Sequence, residues 1–358
     1  MTGRQAEGYT HPVSGIVWRR AAVWAACVAF AVVLGAPRAA RANQGLIDIG
    51  SSPVVNVHMR SGILVIRTWQ RPQVRIVTGG AAHWTRFSSV EVAGHVPKQL
   101  RLPQRSIATR RGPINVPAET FVLPPLSPGE HRGVMIRGYG RTIVTVPAKT
   151  ALLFLRMSHG RVTVNGYRNG TFVAYVGGGS IHLQRVSGTG FVQILRGPLI
   201  AQNSDFTRLR ARSAFGNLIF NHCTATQIEA TTGLGSVYYN DGSFHPGLAR
   251  FESQYGDVAL GIGSGGADIG VHDSGKPVLS QFGNAAVTTT AHGARARVGG
   301  GGAFVTASAP GGRVVLYQGQ LQAHPALLRS LHRLPPIVRR NFSARRPPKR
   351  IAPRTRPP

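Results

Sequence analysis

From about residue 140 to 320 the chain alternates apolar and polar residues in short runs. FVAYV, FVQIL, ARFES and AFVTA each place every second side chain on one face, as half-buried strands do. Glycines open the neighbouring segments GRVTVNG, GSIHLQ, GNLIFN, GSVYYN, GDVALG and GRVVLY. Taking Gly160, Gly179, Gly197, Gly216, Gly235, Gly256, Gly275, Gly293 and Gly312 as markers, the interval is 18, 19 or 21 residues. The segments after Gly275 and Gly293 fit less well, and SQFG at Ser280 to Gly283 competes with them for register. Each unit of about 19 residues then holds two short strands and two tight turns, too little to bury its own apolar face, so it must stack on its neighbours. The pattern predicts an all-β chain folded as a parallel β-solenoid, with layers about 4.8 Å apart and a rod of roughly 40 Å. Glycine suits the corners because it accepts positive φ. A β-sandwich is the rival architecture.

Three corners favour the solenoid: Ser213-Ala-Phe-Gly-Asn-Leu, Thr232-Gly-Leu-Gly-Ser-Val and Ser253-Gln-Tyr-Gly-Asp-Val share a Ser/Thr-x-x-Gly form. With the lead-in segment SGILVIRTWQRPQVRIVTG (Ser61 to Gly79), they resemble the bacterial putative-adhesin family of extracytoplasmic β-solenoid domains, a domain of unknown function. The resemblance spans residues 45–80 and 134–318. It implies an extracytoplasmic β-solenoid and brings no catalytic residues with it.

The flanks differ in composition. Residues 1–42 read as a signal peptide: Arg19 and Arg20 precede an uncharged run, Ala21 to Ala36, shorter than the ~20 residues of a membrane span. Ala40-Arg41-Ala42 has the small-x-small form of a cleavage site, so the expected location is extracytoplasmic, in the periplasm, at the cell surface or secreted, after cleavage near Ala42. The arginine pair leaves general and twin-arginine export both open. Residues 43–139 form an N-terminal β segment whose stretch from Ala81 to Gly133 is rich in Pro and Arg. That stretch reads as an extended excursion that caps the first coil, with a binding arm as the other reading. Residues 140–320 are the solenoid. Residues 321–358 follow, with Pro325 to Leu334 at helical spacing as a lid and then a Pro/Arg-rich tail expected to be disordered.

Charge sharpens the picture. Lys and Arg number 42 against 12 Asp and Glu, a net +30, and only Lys98, Lys149, Lys276 and Lys349 are lysines. The tail after residue 320 holds ten cations and no acid. Arg339, Arg340, Arg345, Arg346, Lys349, Arg350, Arg354 and Arg356 are therefore the candidate binding residues, contacting anionic envelope polymers or the cell surface. Nucleic acid would be held only non-specifically, since no reading module is present. No specific small molecule, cofactor or metal is indicated.

The chemistry of an enzyme is thinly represented. β-Helix polysaccharide lyases and hydrolases need clustered carboxylates. The repeat region has seven acids: Asp205, Glu229, Asp241, Glu252, Asp257, Asp268 and Asp273. Asp257 aligns with Asn217 and Ser236 at a corner, where a turn hydrogen bond is its simplest job. GSGGADIG (Gly263 to Gly270) occurs once and lacks the consecutive turns a calcium repeat needs. His182, His222 and His272 fall on the faces as surface polar residues. Cys223, alone after the leader, reads as a small buried hydrophobe. The expectation is a non-catalytic, adhesin-like envelope interaction module. A carbohydrate-active β-helix enzyme and a purely structural envelope scaffold are the alternatives. A cluster of Asp257 with Asp268, Asp273 or Glu252 around one groove is what the enzyme requires.

Overall fold

The computed structural model describes residues 43–50, 53–87, 99–102, 105–109, 112–116, 119–122, 132–282, 286–290 and 293–319. Contacts divide the chain into Met1–Asn43 and Gln44–Pro358. The described residues belong to the second unit, Asn43 excepted. They form an all-β fold in which one 20-stranded sheet dominates and parallel pairing prevails through its middle.

Register explains the interval seen in the sequence. Leu152 pairs with Thr171, Leu199 with Leu218, Asp205 with Thr224 and Leu218 with Val237, each with the residue 19 positions on. Each layer contributes a longer strand, such as Asp205–Phe215, and a shorter one, such as Leu218–Asn221. Inward positions of both are apolar and fully buried: Leu209, Ala211, Leu218 and Phe220 in one layer, Ile228, Ala230, Val237 and Tyr239 in the next. Layer on layer, these make one continuous core.

At the first corner, glycines stack in a column. A Cβ on Gly179 would lie 1.8 Å from the carbonyl oxygen of Gly160, and one on Gly216 would lie 2.0 Å from that of Gly197. The Cα–Hα bond there points at the layer beneath, which leaves no room for a side chain. The hydroxyl of the Ser/Thr-x-x-Gly motif has a matching task. Thr232 Oγ1 donates to Gly216 O at 2.8 Å and Ser253 Oγ to Gly235 O at 2.7 Å, each tying its corner to the layer before. The second corner is left-handed and needs no glycine: Arg185, Asn203, His222 and Asp241 have φ of 53°, 49°, 50° and 48°.

The glycine column departs from the expected series at both ends. It begins at Gly140 and Gly62, below Gly160, and after Gly256 its next member is Gly312. Gly275 and Gly293 stand outside it. The reason is a skipped layer: Val258 pairs with Val314, 56 residues on. The chain first runs ahead into Ala267–Ser274, turns through Ala286–Thr289 and Ala294–Val298, and then comes back. Ala303–Ala309 inserts between Val237–Ser253 and Ala267–Ser274, parallel to both.

Both ends of the stack are closed by antiparallel strands. Ala294–Val298 pairs antiparallel with Ala267–Ser274 on one side and with Ala286–Thr289 on the other. At the opposite end, Gly133–Pro147 lies parallel to Val54–Trp69, and its free edge is covered antiparallel by Gln73–Thr78 and Ala82–Phe87. Exposed strand edges invite edge-to-edge association, and these antiparallel strands cover the edges of Ala267–Ser274 and Gly133–Pro147. The extended excursion expected over residues 81–133 therefore begins as a regular strand of the main sheet, Ala82–Phe87. Proline is absent from Ala82–Phe87, so nothing there prevents pairing. The excursion also carries two small antiparallel pairs, Gln99–Leu102 with Glu119–Val122 and Arg105–Ile107 with Ile114–Val116. Its tip reaches the later layers: Pro113 O accepts from Gln254, and buried Ile114 packs over Gly233. Capping and lateral cover are both performed by this one segment.

Candidate functional site

Outward positions of successive layers also align. One column runs Gln193, Arg212, Thr231, Glu252, Ser308, and the column beside it runs Arg210, Glu229, Arg250, Thr306. The whole first column, Glu229 and Arg250 of the second, Ile114 of the excursion and Pro310 line a groove of about 430 Å³. The alternation of strand side chains turns these residues outward while Ala211, Ala230 and Phe251 between them face the core.

The charged side chains in and beside the groove are ion-paired with one another. Glu229 receives Arg210 Nε at 2.7 Å and Arg212 Nη2 at 2.9 Å, while Arg250 Nε donates to Glu252 at 2.8 Å. Burial by itself would raise the Glu229 pKa. The hydrogen bond from Arg212, the charges of Arg210 and Arg212 and the hydrogen bond from Arg210 outweigh it, and the carboxyl is held below its ordinary value. A carboxylate held ionised in this way accepts hydrogen bonds and is a poor proton donor.

The acids named in the sequence are otherwise dispersed. Asp257 has the corner role expected of it. Its Oδ1 accepts the Arg313 N–H at 2.9 Å, just as Asn217 Oδ1 accepts from Ser236 and Ser236 Oγ accepts from Asp257. Asp268 pairs with Arg297 in the end hairpin at 2.8 Å, so GSGGADIG serves a turn and an ion pair. The two carboxylates that share the groove are Glu229 and Glu252. His222 occupies the left-handed corner with Nδ1 3.1 Å from Asp241. Cys223 is buried, and burial, against the weaker effect of backbone hydrogen bonds with Ser204 and Asn221, pushes its thiol up to about 12. The eight tail cations Arg339, Arg340, Arg345, Arg346, Lys349, Arg350, Arg354 and Arg356 lie outside the described residues.

Of the groove residues, the sequence named only the acids Glu229 and Glu252 and did not align them with the others, although the signal was present. Gln193, Arg212 and Thr231 are 19 apart, and writing the repeats one beneath another lines them up. What hid them was the 21-residue step to Glu252, which follows a register shift between Ala225 and Gln227.

Fold and site together define an all-β chain with parallel strands and, on its outer face, a groove that holds ion-paired side chains. No known family profile and no curated protein matches it. Among solved structures, a "putative cell adhesion protein" from Clostridium sporogenes is similar over 78% of this chain and 100% of its own, at 6% identity and a TM-score of 0.23.

Proposed function

We propose that the chain is an exported, non-catalytic β-solenoid of the adhesin-like kind. It acts in the envelope or at the cell surface by displaying ladders of side chains on a rigid stack. The observation that carries this reading is the register of the layers, which brings Gln193, Arg212, Thr231 and Glu252 into one outward line. Such a line offers a hydrogen-bonding group about every 4.8 Å to an extended partner. The ion-paired state of Glu229 supports binding over acid catalysis. The tail adds a second, less specific contact: its arginines and Lys349 attract anionic envelope polymers through weak, salt-sensitive pairs.

The test compares residues 43–358 with the same chain carrying glutamine at all eight tail cations, binding anionic envelope polymers across a salt series. The expected result is salt-weakened binding, most of it removed by the substitutions. Binding that both proteins share and that resists salt overturns the tail's role and moves recognition to the stacked layers. Cleavage of a polymer by the chain, abolished in Glu229→Gln or Glu252→Gln, overturns the non-catalytic reading.

A further inference from the structure

Charge is segregated along the stack. No Asp or Glu occurs between Asp48 and Glu91 or between Glu130 and Asp205, and the first layers are built from those two stretches. Val54–Trp69 lies in register between Gly133–Pro147 and Leu152–Asn165, which places Arg137 and Arg156 on either side of His58. Arg60 follows two residues along the strand from His58, and Tyr139, 55% exposed, follows two along from Arg137. Past the glycine corner, Arg141 and Arg161 flank Ile63 in the same manner.

These arginines contrast with those in and beside the groove. Arg210, Arg212 and Arg250 are each matched by a glutamate, whereas Arg60, Arg137, Arg141, Arg156 and Arg161 have no carboxylate partner among the described residues. Like charges held in register repel and call for a counter-charge from outside. Burial, then Arg156 and Arg137, lowers the His58 pKa, so this imidazole relieves none of the need, and its buried Nε2 has no hydrogen-bond partner among the described residues.

We propose that this surface binds a linear carboxylated glycan lying along the stacking axis. Guanidinium forks match carboxylates bidentately. Each of the two columns holds one pair of arginines two layers, about 10 Å, apart (Arg137 with Arg156, Arg141 with Arg161), a sparser charge than the one per about 3.4 Å of a nucleic-acid strand. That spacing suits a polymer with a carboxylate on every second sugar, and the open Tyr139 ring gives an apolar platform for a sugar face. The inference rests on the display reading, and it adds to the less specific contact of the tail a specific recognition by the first layers.

The experiment uses residues 43–358, the variant with eight tail glutamines, and Arg137→Ser/Arg156→Ser, with Arg60→Ser as an independent single change. All of these arginines are exposed, and thermal melts check that the fold is kept. Probes are hyaluronan, which has one carboxylate per two sugars, uncharged dextran, and polyphosphate. Polymer ranking is read on the tail variant, from which the eight candidate tail cations have been removed. Hyaluronan is expected to bind best there, and Arg137→Ser/Arg156→Ser is expected to weaken it about tenfold, with a smaller loss for Arg60→Ser. Unchanged binding by the double variant overturns the proposal, and if the tail variant alone loses binding, the tail reading stands without it. Equal or stronger binding of dextran or polyphosphate overturns the carboxylate assignment.

Discussion

At Gly179 two costs of adding a methyl group coincide. Its φ is +124°, and its Cβ would sit 1.8 Å from the carbonyl oxygen of Gly160, a rigid backbone atom of the neighbouring layer. Gly50 separates the two effects, having φ of +73° with nothing within 4 Å. Gly50→Ala is therefore expected to cost only the left-handed penalty, about 1 kcal/mol. Gly179→Ala, which must also push two layers apart, is expected to cost about 3 kcal/mol or more. Urea unfolding of the two variants measures the difference, and equal losses mean that the column yields freely. Cys223 gives a second prediction at this scale. In residues 43–358 it is the one cysteine, it is 1% exposed, and its thiol pKa is pushed up to about 12 by burial. The neutral thiol therefore prevails at pH 8, and a disulfide reagent should react with none of it until urea unfolds the chain. Fast labelling of the native protein contradicts the buried placement beside Ser204 and Tyr239.

Between neighbouring strands the decisive unit is the rung that one layer makes with the next. The Arg210–Glu229–Arg212 rung links the layers of Asp205–Phe215 and Thr224–Leu234. Because the folded pKa of Glu229 lies below its ordinary 4.5, the unfolded chain takes up this proton first as pH falls. The rung's stabilisation is thus complete above about pH 4.5 and is lost as pH drops through the lower folded value. The urea midpoint should fall between about pH 5 and 3, and less so in Glu229→Gln. An equal fall in both proteins assigns the acid sensitivity elsewhere. How much of this element-scale order the sequence carried depends on the kind of contact. The Ser/Thr-x-x-Gly corners were readable because both residues are fixed by chemistry, a hydroxyl donor and a missing Cβ. Gly275 misled because a glycine can be demanded locally as well. A Cβ there would meet Pro310 O at 2.1 Å, outside the column, so a glycine in nearly the right place imitated the period. The left-handed corner left only a faint trace: Asn203, His222 and Asp241 are types that tolerate αL, but Arg185 shares the place. The groove needed both register and the excursion's tip at Ile114, and alternation alone supplies neither.

For the whole molecule, the question is whether stability is added layer by layer or belongs to one closed core. Layers held mainly by their neighbours make a nearly one-dimensional system, in which removing one internal unit leaves the others able to meet. The structure offers a clean excision. Asp205 N–H bonds Val186 O, Thr224 N–H bonds Ser204 O, and Ser243 N–H bonds Cys223 O, so Val186, Ser204 and Cys223 hold equivalent places one layer apart. Deleting residues 205–223 joins Ser204 to Thr224 and removes one layer without altering the path of the chain. The shortened protein is expected to keep its far-ultraviolet β spectrum and elute as a slightly smaller single species. Its thermal midpoint should be lower, because a layer's burial is gone and Glu229 has lost Arg210 and Arg212. Removing the end hairpin instead, residues 286–298, takes away the antiparallel cover of Ala267–Ser274. That variant should aggregate through the bared edge while losing little of the core. A solenoid requires this contrast between a tolerated internal deletion and a harmful terminal one. If the internal deletion unfolds the chain outright, the sheet works as a single closed core, and the idea of a display platform built from interchangeable layers fails with it.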